Sequence, residues 1–226
     1  MLKLSKFTVE VLKNFASINP NLVVSGGSTL STIAEAKSIL ASVTIPENFP
    51  QTFGIYDLNE FISILSLMDE PELEFAEDSA ILSSGNTSVK YRFANPSVLT
   101  TPSKAIKMPE TDLSIRITAD MIAKIRRAAS VLGHSIFAIK SSPSGALSLV
   151  VYDAKDASAN SFALGLTDPP LKNELRKEFS LEFLIDNLKL FPGNYTVDIS
   201  SKLISKWVHS EFKLEYFIAL EKTSTL

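Results

Sequence analysis

The sequence predicts an α+β fold in which two similar domains each combine antiparallel sheets with two helices. A capped amphipathic helix, a later second helix and short apolar strands occur in the first half of the chain and again in the second half. The strands come in runs joined by short turns, which favours antiparallel pairing over single strands that alternate with helices. With 226 residues and 45% hydrophobic content, the chain is long enough to form a core in each domain.

The first helix is predicted over residues 5–18. At about 100° per residue its apolar side chains share one broad face, and the opposite narrow stripe consists of Lys6, Glu10, Lys13 and Ser17. Ser5 is a suitable N-cap, and Pro20 enforces the end of the helix.

Three more helices are predicted along the chain. The second covers 57–67, is capped by Asp57 and has an uncharged outer stripe. The third covers 118–132 and ends at Gly133; its outer stripe holds Asp120, Lys124 and Arg127. The fourth covers 179–190, where the repeat calls for a counterpart of the second helix, and it would expose Glu182, Asp186 and Lys189.

Short segments rich in β-branched or aromatic residues lie between the helices and predict strands. They cover residues 22–24, 29–33, 38–45, 73–75, 89–93, 113–117, 136–139, 147–152, 195–199, 203–208 and 212–220. Residues 94–112 contain three prolines and little regular pattern, which indicates an extended connector. We therefore expect a first domain over 1–110, which includes the connector from about residue 94, and a second domain over 111–226.

The composition argues against an enzyme and against a metal site. There is no cysteine, and the only histidines are His134 and His209, so neither a thiolate zinc site nor a histidine-rich site is expected. The glycines form no phosphate-binding loop, and no serine lies in a nucleophile elbow. We expect no catalytic residue, no cofactor and no metal, and no stretch approaches the roughly 18 apolar residues that a membrane span requires.

Basic side chains recur at equivalent places in the two halves of an acidic chain. The formal net charge is −3. Lys6 and Lys13 lie two helical turns apart on one face, and Lys124 and Arg127 lie about one turn apart on one face of the third helix. Each pair alone also fits an ordinary solvated face. Their recurrence favours a local basic surface that contacts phosphates.

Several segments carry a family resemblance: Leu12-Lys13-Asn14-Phe15-Ala16-Ser17-Ile18-Asn19, Ile55-Tyr56-Asp57-Leu58-Asn59, Pro192-Gly193-Asn194-Tyr195 and Ala219-Leu220-Glu221. In these segments, in their order and in the length of the whole chain, the sequence resembles the sliding clamps of T-even-type bacteriophages. The resemblance implies a non-enzymatic homotrimeric ring of two-domain subunits, with helices facing the interior and sheets outside. Such a ring encircles double-stranded DNA without regard to sequence.

The resemblance also implies binding partners and a cellular location. The partners are the replicative DNA polymerase, a separate ATP-driven clamp loader and late-transcription factors, and the place is the cytoplasm of the infected bacterial host. The expected DNA-facing residues are Lys6, Lys13, Lys124 and Arg127, followed by Lys3, Arg126 and Lys189. An apolar pocket for a partner peptide is expected near the connector, formed by Val98, Leu99, Ile106, Met108, Phe217 and Ile218.

Helix packing gives an independent expectation for the size of the ring. Helices packed side by side occupy about 10 Å each, so eight would leave a hole of about 15 Å and twelve a hole of roughly 28 Å. Four helices per chain would therefore need three chains to enclose a duplex.

Two other functions fit parts of the pattern. A virion structural or scaffolding protein could use a duplicated α+β module without any DNA role, and retention on circular but not linear DNA would distinguish a clamp from it. A monomeric nucleic-acid-binding module would interleave aromatic side chains with basic strands, whereas the aromatic side chains here fall on apolar faces.

Overall fold

The computed structural model describes residues 1–102, 106–166 and 178–226. The chain divides into two compact units. Unit 1 comprises Met1–Ala105, Lys189–Phe191 and Phe212–Tyr216. Unit 2 comprises Ile106–Leu188, Pro192–Glu211 and Phe217–Leu226.

Unit 1 contains two α-helices and eight strands among its described residues. In chain order they are β1 (Leu2–Lys3), α1 (Lys6–Ile18), β2 (Leu22–Val24), β3 (Gly27–Ile33), β4 (Ile39–Phe49), β5 (Phe53–Ile55), α2 (Leu58–Ser66), β6 (Glu72–Phe75), β7 (Ser79–Ser84) and β8 (Thr87–Arg92). One antiparallel sheet has the order β1-β6-β7-β8. Strand β3 pairs with β4, and β2 pairs with β5.

Unit 2 contains one α-helix in the part that the structure describes. The elements are β9 (Leu113–Ile117), α3 (Ala119–Leu132), β10 (Ile136–Ser141), β11 (Leu147–Tyr152), β12 (Phe162–Gly165), β13 (Ser180–Leu184), β14 (Tyr195–Ser200) and β15 (Ile204–His209). One antiparallel sheet has the order β12-β11-β10-β13, and β14 pairs with both β9 and β15. The last strand, β16 (Leu214–Ala219), starts in unit 1 and ends in unit 2.

The predicted α+β class and its first three helices are confirmed. Ser5 caps α1 by accepting a hydrogen bond from the Thr8 N–H, and Asp57 caps α2 through two backbone N–H groups. Helix α3 ends at Gly133, whose φ of 71° is left-handed and suits a residue without a side chain. The apolar faces are buried as expected: Val11, Leu12, Phe15, Ile122, Ile125 and Ala129 are at most 6% exposed.

The predicted fourth helix is wrong. Residues 180–184 form strand β13, and only a single 3₁₀ turn, Ile185–Asn187, follows it. Phe179, Leu181 and Phe183 alternate into the core, and Phe183 stacks on Phe137 of the neighbouring strand with ring centroids 4.9 Å apart. The segment fits both a helical and an alternating pattern, and sheet pairing decides between them because it buries all three side chains.

The same correction changes two expected exposures. Glu182, expected on an outer helical stripe, is 8% exposed and accepts a hydrogen bond from the Tyr152 hydroxyl at 2.6 Å. Lys189 lies on an irregular segment after the 3₁₀ turn, not on a helix. Because the described residues contain three α-helices where four were expected, helix packing alone does not give the number of subunits.

Several short strands were not predicted from the sequence. They are β1, β5, β7, β12 and β13. Strand β7 illustrates the reason: three serines surround Ala80 and Leu82, which are 1% and 0% exposed, so its polar composition resembles that of a turn. Pairing on both sides, with β6 and β8, compensates for a weak intrinsic preference.

Candidate nucleic-acid interface

Helix α1 presents one of the two basic surfaces. Its polar stripe of Lys6, Glu10, Lys13 and Ser17 is exposed along its whole length, while the opposite face packs on α2 and β4. We call Lys6 and Lys13 the α1 cations. They lie seven residues apart, about 10 Å along the axis, so the apolar burial of one face of α1 fixes both lysines toward solvent.

A buried carboxylate fastens the start of α1. Glu47 of β4 is 8% exposed and accepts hydrogen bonds from the Ser5 N–H and from the Thr8 hydroxyl. Burial raises the pKa of Glu47, but the hydrogen bonds from Thr8 and Ser5 together outweigh it and lower the pKa below its ordinary value. The negative charge also faces the positive end of the helix dipole, so Glu47 anchors the helix that carries the α1 cations.

Sequence reasoning missed Glu47, although a signal for it was present. Strand β4 alternates from Ala41 onward, with Val43, Ile45, Glu47 and Phe49 on the buried phase. An acidic residue at a position where the pattern requires an apolar one indicates a buried carboxylate with dedicated donors.

Helix α3 presents the second basic surface, within unit 2. Lys124, Arg126 and Arg127 are all exposed, and we call Lys124 and Arg127 the α3 cations. The Thr118 hydroxyl caps the helix through the Met121 N–H at 3.3 Å. Since Ile122, Ile125 and Ala129 are buried on the other side, this helical phase holds the three cations at the surface.

Exposed carboxylates accompany three of the predicted DNA-facing lysines. Lys13 pairs with Glu10 at 2.7 Å, Lys124 with Asp120 at 2.8 Å and Lys3 with Glu70 at 3.4 Å. All these side chains are at least half exposed. Such surface pairs contribute about 0–1 kcal/mol, so an incoming phosphate can compete with the carboxylate for the lysine.

Three of the other predicted cations are placed differently. Lys6, Arg127 and Lys189 form no ion pair with any residue in 1–102, 106–166 or 178–226. Lys189 is half-buried and belongs to unit 1, where the Asn14 side-chain amide donates a hydrogen bond to its carbonyl at 3.0 Å. The structure thus brings Lys189 to the helix that carries the α1 cations.

Helix α2 carries no cation. Asn59, Ser63 and Ser66 form an exposed stripe, beside which Glu60 is also exposed. The hydroxyls of Ser63 and Ser66 donate to carbonyls of the preceding turn. This stripe is polar but uncharged, so α2 is not a phosphate-binding surface in the sense of α1 and α3.

The residues of the predicted peptide pocket differ widely in exposure. Val98 and Ile106 are exposed, Met108 is half-buried, and Leu99, Phe217 and Ile218 are buried. Leu99 packs so closely on Gly54 that a Cβ atom there would lie 2.7 Å from Leu99 Cδ1. The pocket stays a prediction.

Among the described residues, no group of three or more His, Cys, Asp or Glu side chains could hold a metal ion. His134 Nε2 lies 2.7 Å from the Asn160 carbonyl, and His209 Nε2 lies 3.2 Å from the Pro192 carbonyl. No helix in the described part of the chain is long and apolar enough to cross a membrane.

The chain is similar to known proteins over almost its whole length. A family model described as DNA polymerase processivity factor matches residues 3–108. The sliding clamp of Vibrio phage KVP40 is 31% identical over 97% of this chain and 99% of its own. The sliding clamp of Escherichia phage RB69 is 31% identical, and that of Enterobacteria phage T4 is 29% identical, each over 99% of both chains.

Solved structures show the same fold at lower identity. The A. fulgidus PCNA, solved with the C-terminal region of FEN-1, has a TM-score of 0.74 at 17% identity and covers 100% of both chains. The Proliferating Cellular Nuclear Antigen from Entamoeba histolytica has a TM-score of 0.67 at 18% identity and covers 97% of both chains. At such identities the likeness concerns the fold, and it confirms the expected α+β clamp fold of the chain.

Proposed function

This chain belongs to the sliding-clamp family of DNA polymerase processivity factors, and from that premise we propose that three copies form a ring that encloses duplex DNA and tethers the replicative polymerase. The observation that carries the proposal is the match to phage sliding clamps over at least 97% of the chain. No relative named above is a virion structural protein, so the scaffold alternative has no observation in its favour. The sequence-predicted domains, 1–110 and 111–226, would be the two clamp domains of each subunit.

We propose that the α1 and α3 cations face the enclosed DNA. Lysine and arginine reach phosphates without reading base edges, so the interaction energy is nearly level along the duplex and sliding meets little resistance. Retention comes from enclosure, so a few exposed cations suffice. The exposed carboxylates Glu10 and Asp120 beside Lys13 and Lys124 further weaken each contact, which suits a ring that must move.

We propose that free sheet edges close the ring. Among the described residues, strand β8 ends one sheet of unit 1, and β12 ends one sheet of unit 2. An unpaired edge presents backbone donors and acceptors that readily pair with another chain. Pairing of β8 in one subunit with β12 in the next would satisfy both edges and produce a closed, head-to-tail ring.

Partners of the ring would dock away from the DNA-facing surface. We propose that a peptide from the polymerase or from a clamp loader uses the apolar surface near the connector, with Val98 and Ile106 as its exposed part. Late-transcription factors are proposed as further users of that surface. Because the named relatives are phage proteins, we infer that the clamp acts in the infected bacterial cell.

Topological retention provides the test. The clamp is loaded by its cognate loader onto a nicked circular plasmid, and bound protein is separated from free protein by gel filtration before and after a single restriction cut. We expect the clamp to co-elute with the circle and to be lost from the linear product. Equal retention on both forms would show binding without enclosure and would refute the proposal.

A further inference from the structure

A short segment from far along the sequence is fastened to α1. Lys189 lies 175 residues from Asn14, yet the Asn14 Nδ2 amide donates to the Lys189 carbonyl at 3.0 Å. Residues Lys189–Phe191 belong to the same compact unit as α1. The contact is therefore part of the packing of unit 1.

A buried tyrosine completes this attachment. Tyr216 is 0% exposed; its hydroxyl donates to Asn14 Oδ1 at 2.7 Å and accepts from the Phe191 N–H at 3.0 Å. Asn14 thus uses its amide oxygen and its amide nitrogen, and Tyr216 uses its hydroxyl as donor and as acceptor. Each hydrogen bond fixes the orientation of the next, so the segment is held by three linked bonds.

Aromatic packing holds the same segment at a second point. The ring of Phe191 contacts Phe7 edge-to-face, with centroids 5.8 Å apart, and both rings contact Phe212. Phe7 is in the first turn of α1, and Asn14 lies two turns further on. The segment therefore runs along the part of α1 that carries Lys6 and Lys13, with one attachment near each lysine.

We propose that Asn14 and Tyr216 are positioning residues that hold Lys189 beside Lys13, so that Lys189 joins the α1 cations in facing the DNA backbone. This inference rests on the proposed function. Lys189 is half-buried and has no acidic partner in the described part of the chain. A half-buried lysine can pack its alkyl stem on the protein while its ammonium group stays in water. Loss of the attachment would leave the charge in the chain but not at the DNA.

The test measures how binding of a short, open-ended fluorescent duplex to the assembled clamp depends on salt. Each phosphate contact that is lost reduces the slope of log affinity against log salt by about 0.9. Between 50 and 200 mM salt, the affinity deficit of a variant then shrinks by about 3.5-fold per lost contact. We expect this behaviour for Lys189→Gln, and the same behaviour for Asn14→Ala and Tyr216→Phe, although neither of the latter changes the net charge.

Two comparisons separate positioning from general stability. The double variant Asn14→Ala/Lys189→Gln should bind no more weakly than Lys189→Gln alone, because the asparagine acts through that lysine. Tyr152→Phe is the matched control, since it also removes a hydrogen-bonded hydroxyl, that from Tyr152 to Glu182 at 2.6 Å, but in unit 2. It should leave the salt slope unchanged. Asn14→Ala serves alone if Tyr216→Phe does not fold.

The variant Lys13→Gln tests separately whether α1 faces DNA, as the proposed function requires. If Lys13→Gln lowers the slope while the Asn14, Tyr216 and Lys189 variants do not, α1 faces DNA and the positioning inference is wrong. If Lys13→Gln also has no effect, α1 does not face DNA, and both proposals are overturned. Additive effects of Asn14→Ala and Lys189→Gln would likewise contradict positioning.

Discussion

Replacing Glu47 by glutamine should loosen the start of α1. The carboxylate accepts hydrogen bonds from two donors of that helix terminus, the Ser5 N–H and the Thr8 hydroxyl, of which the second lies at 2.5 Å. Glutamine keeps one acceptor oxygen and adds an N–H₂ group that can only donate. One of the two donors, of which the Thr8 hydroxyl is buried and the Ser5 N–H is partly buried, therefore loses its acceptor, and the charge at the helix N-terminus disappears.

The expected loss follows from these two changes. A buried donor without a partner costs about 1–3 kcal/mol, and a carboxylate at a helix N-terminus contributes about 0.3–1 kcal/mol. We expect Glu47→Gln to lower the free energy of unfolding by about 2–4 kcal/mol at pH 7, because some of the lost bonding is also charge-assisted. Urea denaturation followed by far-UV circular dichroism measures it.

The pH dependence of this loss has a definite sign. The pKa of Glu47 is lowered in the folded state from 4.5, so its contribution is fully present above that value and disappears as the pH falls through the folded-state pKa. The difference between wild type and Glu47→Gln should therefore be full at pH 7 and shrink at lower pH. Glu74→Gln, an exposed glutamate on β6, is the control and should change stability by less than about 0.5 kcal/mol. A Glu47→Gln protein as stable as this control at pH 7 would refute the reasoning.

Three further outcomes follow from the structure. Gly193→Ala should destabilise by about 1–3 kcal/mol in urea, because its Cβ would lie 2.0 Å from the buried His209 Nε2, whereas Gly165→Ala meets nothing within 4 Å and should be near neutral. Gly54→Ala should also unfold at lower urea, since its Cβ would lie 2.5 Å from the Ala94 carbonyl oxygen; an unchanged midpoint would contradict the close packing. The pair Lys13→Glu/Arg127→Glu should reduce clamp-dependent processivity in primer extension while light scattering still reports three subunits; unchanged processivity at moderate salt would count against the DNA-facing assignment.

Local sequence signals predicted the secondary structure correctly where a segment fitted only one periodicity, helical or alternating. Helices α1, α2 and α3 combine a capping side chain with an apolar stripe of helical period, and the structure begins and ends them within a residue or two of the prediction. Segment 179–190, by contrast, fits both the helical period and the alternating period of a strand. Its pairing partner, β10, lies more than 30 residues away in sequence, so no local pattern could decide that it would be strand β13.

Part of the candidate site could likewise be predicted from local sequence, and part could not. The exposure of Lys6, Lys13, Lys124 and Arg127 follows from helical phase, which the sequence displays. The attachment of Lys189 to Asn14 depends on a contact across 175 residues and on the hydroxyl of Tyr216, which looks like an ordinary aromatic strand residue. Helical phase is a local property of the chain, whereas this attachment is a product of tertiary packing.

The absence of cysteine from the sequence allows the central claim to be tested by single-site crosslinking. A photoreactive probe is attached to Lys13→Cys, to Arg127→Cys and, as the control, to Glu74→Cys on an exposed strand position, and each clamp is loaded onto circular duplex DNA and irradiated. The probes at 13 and 127 should crosslink to DNA along its whole length, and the probe at 74 should not. Crosslinking from position 74 but not from 13 or 127 would contradict a ring whose basic helices surround the duplex.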